Sequence, residues 1–177
     1  LIPTPDTDPA VIGAMRAFAE RTLGKGIVMA KDVPGFVANR LGVYGMVATM
    51  RRMEQHGLSI DEVDGLTGAL IGRARTATFR TGDLTGIDVL QHVTRGIGAA
   101  TGEDFAMPAW VAEQLVATGK LGDKTGGGFY RKAKDGTFTF DWKTGDYVPQ
   151  QRLEGGEIGQ LLRLPLGLQR PLAFHQH

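Results

Sequence analysis

Cysteine is absent from the 177-residue chain. That excludes disulfides, Cys-bearing zinc sites and thiol nucleophiles, and leaves a reducing cytoplasm as the default expectation. A charge excess is also missing. Twenty Lys and Arg stand against 19 Asp and Glu, a net charge of +1, so there is no electrostatic case for nucleic acid or an anionic membrane surface. The longest uncharged run is Leu41–Met50, well short of the roughly 18 residues a spanning helix needs. Histidine occurs only as His56, His92, His175 and His177, none in a metal-ligand spacing such as H-E-x-x-H. No metal is expected, and no internal repeat is found.

What the chain does have is a globular composition, 42% hydrophobic and 22% charged. Its length suits one domain able to bury roughly 70% of the unfolded surface. Glycine is plentiful, 26 residues, about twice the usual ~7%, so turns and close backbone contacts are expected. The chain starts at Leu1 with no initiator methionine or signal-peptide pattern, which leads to the expectation of a piece of something longer.

Asp8-Pro9 opens a first helix, an N-cap acceptor followed by proline at the first helical position, with Ile12, Met15, Phe18 and Ala19 at helical spacing up to Leu23 and Gly24. Ile27–Ala30 reads as a short strand, so the first 30 residues resemble the tail of an α/β unit. Phe36–Gln55 reads as a long helix with Val37, Leu41, Tyr44, Val47 and Met50 on one face, closed by Gly57. Ser59 and Glu62 form a capping box for a helix to about Ile71. Arg73–Thr81 reads as a polar connection, Asp83–Ala100 as a third helix of the body and Pro108–Thr118 as a fourth. Asp135-Gly136 marks a β-hairpin. Beyond Pro149 no periodicity is clear, and Leu161–Phe174 reads as a docked tail or a scar. The fold expected is mainly α: a helical domain preceded by a strand-helix-strand and followed by a small C-terminal β-hairpin.

The chain carries no nucleotide fingerprint of its own. Gly96-Ile97-Gly98 with Gly102 has the wrong spacing and lies at a helix end. Three candidates for chemistry remain. Asn39, at a helix start after Pro34-Gly35, either caps its own turn or offers its amide to a carbonyl or hydroxyl. Lys124, among glycines, is either a turn lysine or a phosphate contact. Arg73, Arg75 and Arg80 form either a solvated loop or an anion site.

Lys31-Asp32-Val33-Pro34-Gly35-Phe36-Val37-Ala38-Asn39-Arg40-Leu41 resembles the K-D-x-P-G-F-x-x-N-R-L signature of L-3-hydroxyacyl-CoA dehydrogenases. Asp83-Leu84-Thr85-Gly86-Ile87-Asp88 resembles the family's D-x-x-G-L-D, and Lys124–Tyr130 its K-T-G-x-G-F-Y, in the family's order. The resemblance runs from Leu1 to about Tyr147. Ile60–Asp64, Leu70–Arg73 and Ala77–Thr81 are similar to the long bacterial proteins that join this dehydrogenase to an enoyl-CoA hydratase. Thr76-Ala77-Thr78-Phe79 replaces the M-G-P-F of simpler members, a departure that bears on acyl-pocket shape and chain length; the resemblance implies Thr78 and Phe79 as substrate-binding residues.

The resemblance implies three parts: residues 1–32 as the end of an NAD-binding Rossmann domain, 33–149 as the helical domain, and 150–177 as a tail. It implies oxidation of 3-hydroxyacyl-CoA to 3-oxoacyl-CoA in fatty-acid β-oxidation, with acyl-CoA as substrate, NAD as cofactor and a homodimer formed through the helical domain. Asn39 matches the family's active-site asparagine, and Lys124 a lysine that contacts the dinucleotide. The glycine fingerprint, the catalytic histidine and its glutamate belong to sequence before Leu1, so this chain alone is expected not to turn over. The competing reading is a non-catalytic dimerisation or interaction module. The apolar faces of Phe36–Gln55 and Asp83–Ala100 fit a homodimer in either case.

Overall fold

The computed structural model describes residues 1–151 and residue 153. The tail expected after Pro149, with His175 and His177, lies almost wholly outside them. Helix α1 spans Pro9–Ala17, capped as expected by Asp8, whose carboxylate accepts from the Ala10 amide at 2.8 Å. It widens into a π-helical turn, Phe18–Thr22, before Gly24. No residue of either piece is buried, and Val11, Met15, Phe18 and Leu23 all face solvent. The strand expected at Ile27–Ala30 does not form. The segment is extended, and Leu1 donates to Val28 O and accepts from Ala30 N at 2.7 and 2.8 Å, one rung of a parallel ladder. A parallel strand needs neighbours and covered faces to persist, and no such sheet is present among the described residues.

Helix α2, Ala38–His56, closes on left-handed Gly57 (φ 65°). Its buried residues are Val43, Val47, Met50 and Met53, spaced by four and three. Val37, Leu41 and Tyr44, expected on the same inward face, are exposed, Leu41 by 69%. Helix α3, Ile60–Thr67, carries both bonds of the Ser59–Glu62 capping box, at 2.7 and 3.2 Å. It is shorter than expected, and a 3-10 turn at Ala69–Ile71 follows. The expected single helix over 83–100 is two, α4 (Phe79–Thr85) and α5 (Ile87–Thr101), broken at Gly86 (φ 97°). The expected polar connection 73–81 is partly core, because Ala77, Thr78 and Phe79 are buried. A π-helical segment, Val111–Val116, completes the body. Among the described residues no helix is long and apolar enough to cross a membrane.

The hairpin is β1 (Tyr130–Ala133) and β2 (Gly136–Phe140), antiparallel with Tyr130 opposite Thr139 and Ala133 opposite Gly136. The two-residue loop is therefore Lys134-Asp135, one position earlier than expected. A third strand, β3 (Tyr147–Pro149), adds to the edge of β2 and was not anticipated.

One core joins helices and sheet. Phe79 packs edge-on against Phe129, with ring centroids 4.9 Å apart, and Met50, Met53, Ile60, Trp110, Leu115 and Phe140 surround them. The polar joint beside it is Asp83 on α4, which is 1% exposed. Its two carboxylate oxygens accept from the backbone amides of Phe129 and Tyr130, each at 2.8 Å. Backbone approach is so close that a Cβ on Gly128 would collide with Asp83 Oδ1, and one on Gly122 with the Asp83 carbonyl oxygen. Burial pushes the Asp83 carboxyl up to about 7, although the two amide bonds and Arg80 pull the other way.

Gly128→Ala is expected to lose roughly 2–4 kcal/mol of stability in urea titrations through overpacking, whereas Gly96→Ala, mid-helix in open space, gains up to ~1 kcal/mol. Asp83 binds its proton more tightly folded (about 7) than at its ordinary 3.8, so its contribution is full below pH ~4 and lost as pH rises to ~7. The slope approaches ~1.4 kcal/mol per pH unit, and Asp83→Asn removes it from the pH–stability profile.

Candidate active-site face and its supports

Asn39 is the second residue of α2 and is exposed. The turn before it is strained: Gly35 has φ 77° and Phe36, a bulky residue, φ 46°. Glycine is required at 35, where a Cβ would stand 2.7 Å from Ile97 Cδ1. Phe36 N donates to Val33 O (2.9 Å), Arg40 N to Gly35 O (3.1 Å) and Leu41 N to Val37 O (3.0 Å). The amides of Val37, Ala38 and Asn39, and the Asn39 side chain, find no acceptor or partner among the described residues.

The same turn occurs a second time in the molecule. Ala77 repeats Phe36 (φ 48°), and Thr78 (φ −91°, ψ −58°) repeats Val37 (φ −94°, ψ −54°). The hydrogen bonds repeat as well: Ala77 N to Ala74 O (2.9 Å), Thr81 N to Thr76 O (3.1 Å) and Gly82 N to Thr78 O (3.2 Å). Here, however, the three open amides are filled. Thr78 N, Phe79 N and Arg80 N donate to the Asp64 carboxylate at 3.0, 2.7 and 3.0 Å, and Tyr130 Oη adds a fourth bond at 3.0 Å. Burial raises the Asp64 carboxyl above its ordinary value, opposed by these bonds. The α4 turn thus seats a carboxylate on three N–H groups at a positive helix end, whereas the α2 turn has no such acceptor among the described residues.

Around the α2 turn lies a groove of about 710 Å³ lined by Phe36, Val37, Leu41, Tyr44 and Phe105, with Arg40 and Arg51 at its edge. Both arginines are tied to the 103–106 loop, Arg40 to Glu103 and Arg51 to Asp104 at 2.7 Å.

Lys124 sits in a 3-10 turn, Asp123–Thr125, and donates to both oxygens of Asp88 at 2.5 and 2.7 Å. The ammonium holds the Asp88 carboxyl below the ordinary carboxylate range. Gly86 leaves the lysine its path, since a Cβ there would meet Lys124 Nζ at 3.2 Å. Asp88 belongs to the Asp83–Asp88 motif and Lys124 to the glycine-rich motif, so two stretches read separately in the sequence close on each other. No hydrogen bond among the described residues links Lys124 with Asn39. Thr78 and Phe79 are 1% and 0% exposed; Thr78 bonds Thr67 at 2.8 Å, and Phe79 belongs to the core. Neither presents a free side chain for direct contact with a ligand. Of the arginine loop, Arg80 grips Asp123 with two bonds, at 2.5 and 2.7 Å. Sequence reasoning missed the roles of Asp64 and Asp83. The available signal was an acid within an apolar helix pattern, at Ile60–Asp64 and Phe79–Asp83.

The family model described as "3-hydroxyacyl-CoA dehydrogenase, C-terminal domain" matches residues 35–132. The "Probable 3-hydroxyacyl-CoA dehydrogenase" of Deinococcus radiodurans is 56% identical over 137 residues, 76% of this chain and 39% of the relative. That of Bacillus subtilis is 40% identical over 158 residues, 87% of this chain and 20% of the relative. Among solved structures, FadB2 of Mycobacterium tuberculosis superposes with TM-score 0.65 at 30% identity, covering 75% of this chain and 46% of that one. The chain thus spans two-fifths or less of the length of these two curated relatives.

The supports and the exposed pair separate under mutation. Asp64→Ala strips the acceptor from three amides and one hydroxyl and lowers stability by roughly 3 kcal/mol in chemical denaturation. Lys124→Met breaks only a solvent-exposed pair and leaves the unfolding midpoint essentially in place.

Proposed function

Because the chain belongs to the 3-hydroxyacyl-CoA dehydrogenase C-terminal domain family, we propose that it is the helical half of an enzyme that oxidises 3-hydroxyacyl-CoA to 3-oxoacyl-CoA, with Asn39 as a substrate-orienting residue. The observation that carries this reading is the α2 turn: a strained, glycine-dependent backbone that presents three unanswered amides and the Asn39 carboxamide to solvent side by side. Strain of this kind is held where it orients groups for a ligand. A substrate carbonyl or hydroxyl oxygen suits those donors.

NAD is the hydride acceptor in this reading. The described residues do not make a dinucleotide cradle: Gly96-Ile97-Gly98 lies inside α5, and Lys124 is committed to Asp88. The reading therefore assigns NAD to a separate nucleotide-binding domain. Residues 1–32 fit as the end of that domain, since Val11, Met15, Phe18 and Leu23 have no apolar cover here. Residues 33–149 form the helical domain. A homodimer is proposed through Leu41 and Tyr44 on α2 with Leu84 and Val89 at the α4–α5 joint, all more than 40% exposed. The same exposed surface is the one observation favouring a purely docking role.

A chimera with the nucleotide-binding part of the Deinococcus radiodurans relative ahead of Leu1 tests both. It turns over 3-hydroxybutyryl-CoA with NAD, the 177-residue chain alone does not, and Asn39→Ala lowers kcat about 100-fold. Turnover unchanged by Asn39→Ala removes Asn39 from the chemistry, and a folded, NAD-binding but inactive chimera favours the docking module. In sedimentation at micromolar concentration the chain runs as a dimer that Leu41→Asp dissociates; a monomer sinks the dimer proposal.

A further inference from the structure

A cavity of about 1110 Å³ opens between α3, the loop before α4 and the sheet. Its size exceeds the ~300–1,000 Å³ usual for small-molecule sites. None of the residues at the α2 turn lines it, and its chemistry is independent of the dehydrogenase reading. Three cations line it, Arg75, Arg80 and Lys132, against two carboxylates, Asp64 and Asp123. Both carboxylates are already committed. Asp64 serves three backbone amides and Tyr130 Oη, and Asp123 holds Arg80 through two bonds. Arg75 and Lys132 have no acidic partner within ion-pair distance among the described residues. The Asp123 carboxyl is held down chiefly by Arg80 and lowered further by the Lys132 charge.

The cavity also has an apolar wall. Leu70 lines it and is 51% exposed, beside Ala69 and Leu153. Leu153 lies on Gly65, where a Cβ would meet its Cδ1 at 3.0 Å. Two cations without an acidic partner among the described residues and an exposed leucine in the lining of one open cavity suit a ligand that satisfies both. We propose that this cavity binds an amphipathic anion, an aliphatic chain ending in a carboxylate or phosphate, with its headgroup met by Arg75 and Lys132 and its chain along Leu70 and Leu153. A free phosphate would leave the leucines in water, and a neutral chain would leave the cations unanswered.

The test is calorimetric titration of the 177-residue chain with decanoate, decyl phosphate, decyltrimethylammonium and inorganic phosphate, each below its micellar concentration. At least one of the two anionic amphiphiles binds, and whichever is tighter identifies the headgroup. The double variant Arg75→Glu, Lys132→Glu weakens that binding at least about tenfold. Leu70→Ser weakens it less and leaves inorganic phosphate, which binds poorly throughout, unaffected. All three positions are exposed, and circular dichroism verifies that the variants fold. The proposal is overturned if neither anion binds at millimolar concentration, if the cationic amphiphile binds equally well, if inorganic phosphate matches decyl phosphate, or if the double variant binds as the parent does.

Discussion

The fold depends on a carboxylate placed where water cannot reach it. Asp83 leaves α4 and receives the amides of Phe129 and Tyr130, fixing the start of the sheet against the helices. A buried carboxylate without partners would be prohibitively unfavourable, so the glycine-rich turn has to deliver two N–H groups to it. It does so only because residues 122 and 128 lack side chains. Around this joint, Ile87 N donates to Leu121 O at 3.1 Å, and Lys124 and Asp88 close the outer edge. The Phe79–Phe129 contact is what remains to be packed once the joint is made. The two motifs that stood apart in the sequence, Asp83–Asp88 and Lys124–Tyr130, are the two halves of one clasp.

A second constraint lies in the paired helix entrances. Residues 33–41 and 74–82 share a non-glycine left-handed residue, the same N-terminal dihedrals and the same three backbone bonds. Their side chains have little in common, which is why no repeat is visible in the sequence. At the α4 entrance the fold answers its own amides with Asp64, whereas at the α2 entrance no acceptor is supplied from the described residues. Structural demand explains the first, because Thr78 and Phe79 must enter the core and their amides cannot remain unpaired there. The second stays at the surface, where an exchangeable ligand can take the same place.

The elements most legible in the sequence were those governed by local chemistry. Asp8-Pro9, the Ser59–Glu62 box and Gly57 mark helix ends through hydrogen bonds made within a few residues, and each is where the spacing puts it. The elements misread depended on distant partners. Leu41 and Tyr44 continue the helical period of Val47 and Met50, yet Leu41 is 69% exposed and Tyr44 meets only the edge of Phe105, so periodicity marked apolarity without marking burial. Ile27–Ala30 has a strand's composition and lacks a sheet to join. Gly86 divides α4 from α5 through a positive-φ backbone (φ 97°), with Asp88 Oδ1 and Lys124 Nζ both close to where a Cβ would stand; the lysine, 38 positions away, is a neighbour no local window contains. Of the candidate site, Asn39 was singled out through a resemblance carried by Lys31–Leu41, while the commitment of Lys124 to Asp88 needed coordinates.

These contrasts bear on how the helical domain is organised. Its polar groups fall into two sets by whether the chain itself satisfies them. Asp61, which accepts from Thr139 Oγ1 and Gln151 N at 2.8–3.0 Å, joins half-buried Asp64 and buried Asp83 in a series of carboxylates, each met by backbone or hydroxyl donors. That series rigidifies the joint between α3, α4 and the sheet. Asn39 and the first α2 amides form the unsatisfied set, on a helix whose N-terminal half leaves Leu41 and Tyr44 largely exposed. The rigidity of the first set is what lets the second stay strained: Phe36 holds its left-handed backbone because Gly35 is wedged against Ile97 of α5, and α5 is in turn pinned by the Asp83 clasp. The saturated joint and the strained, exposed turn thus lie at the two ends of the same chain of contacts.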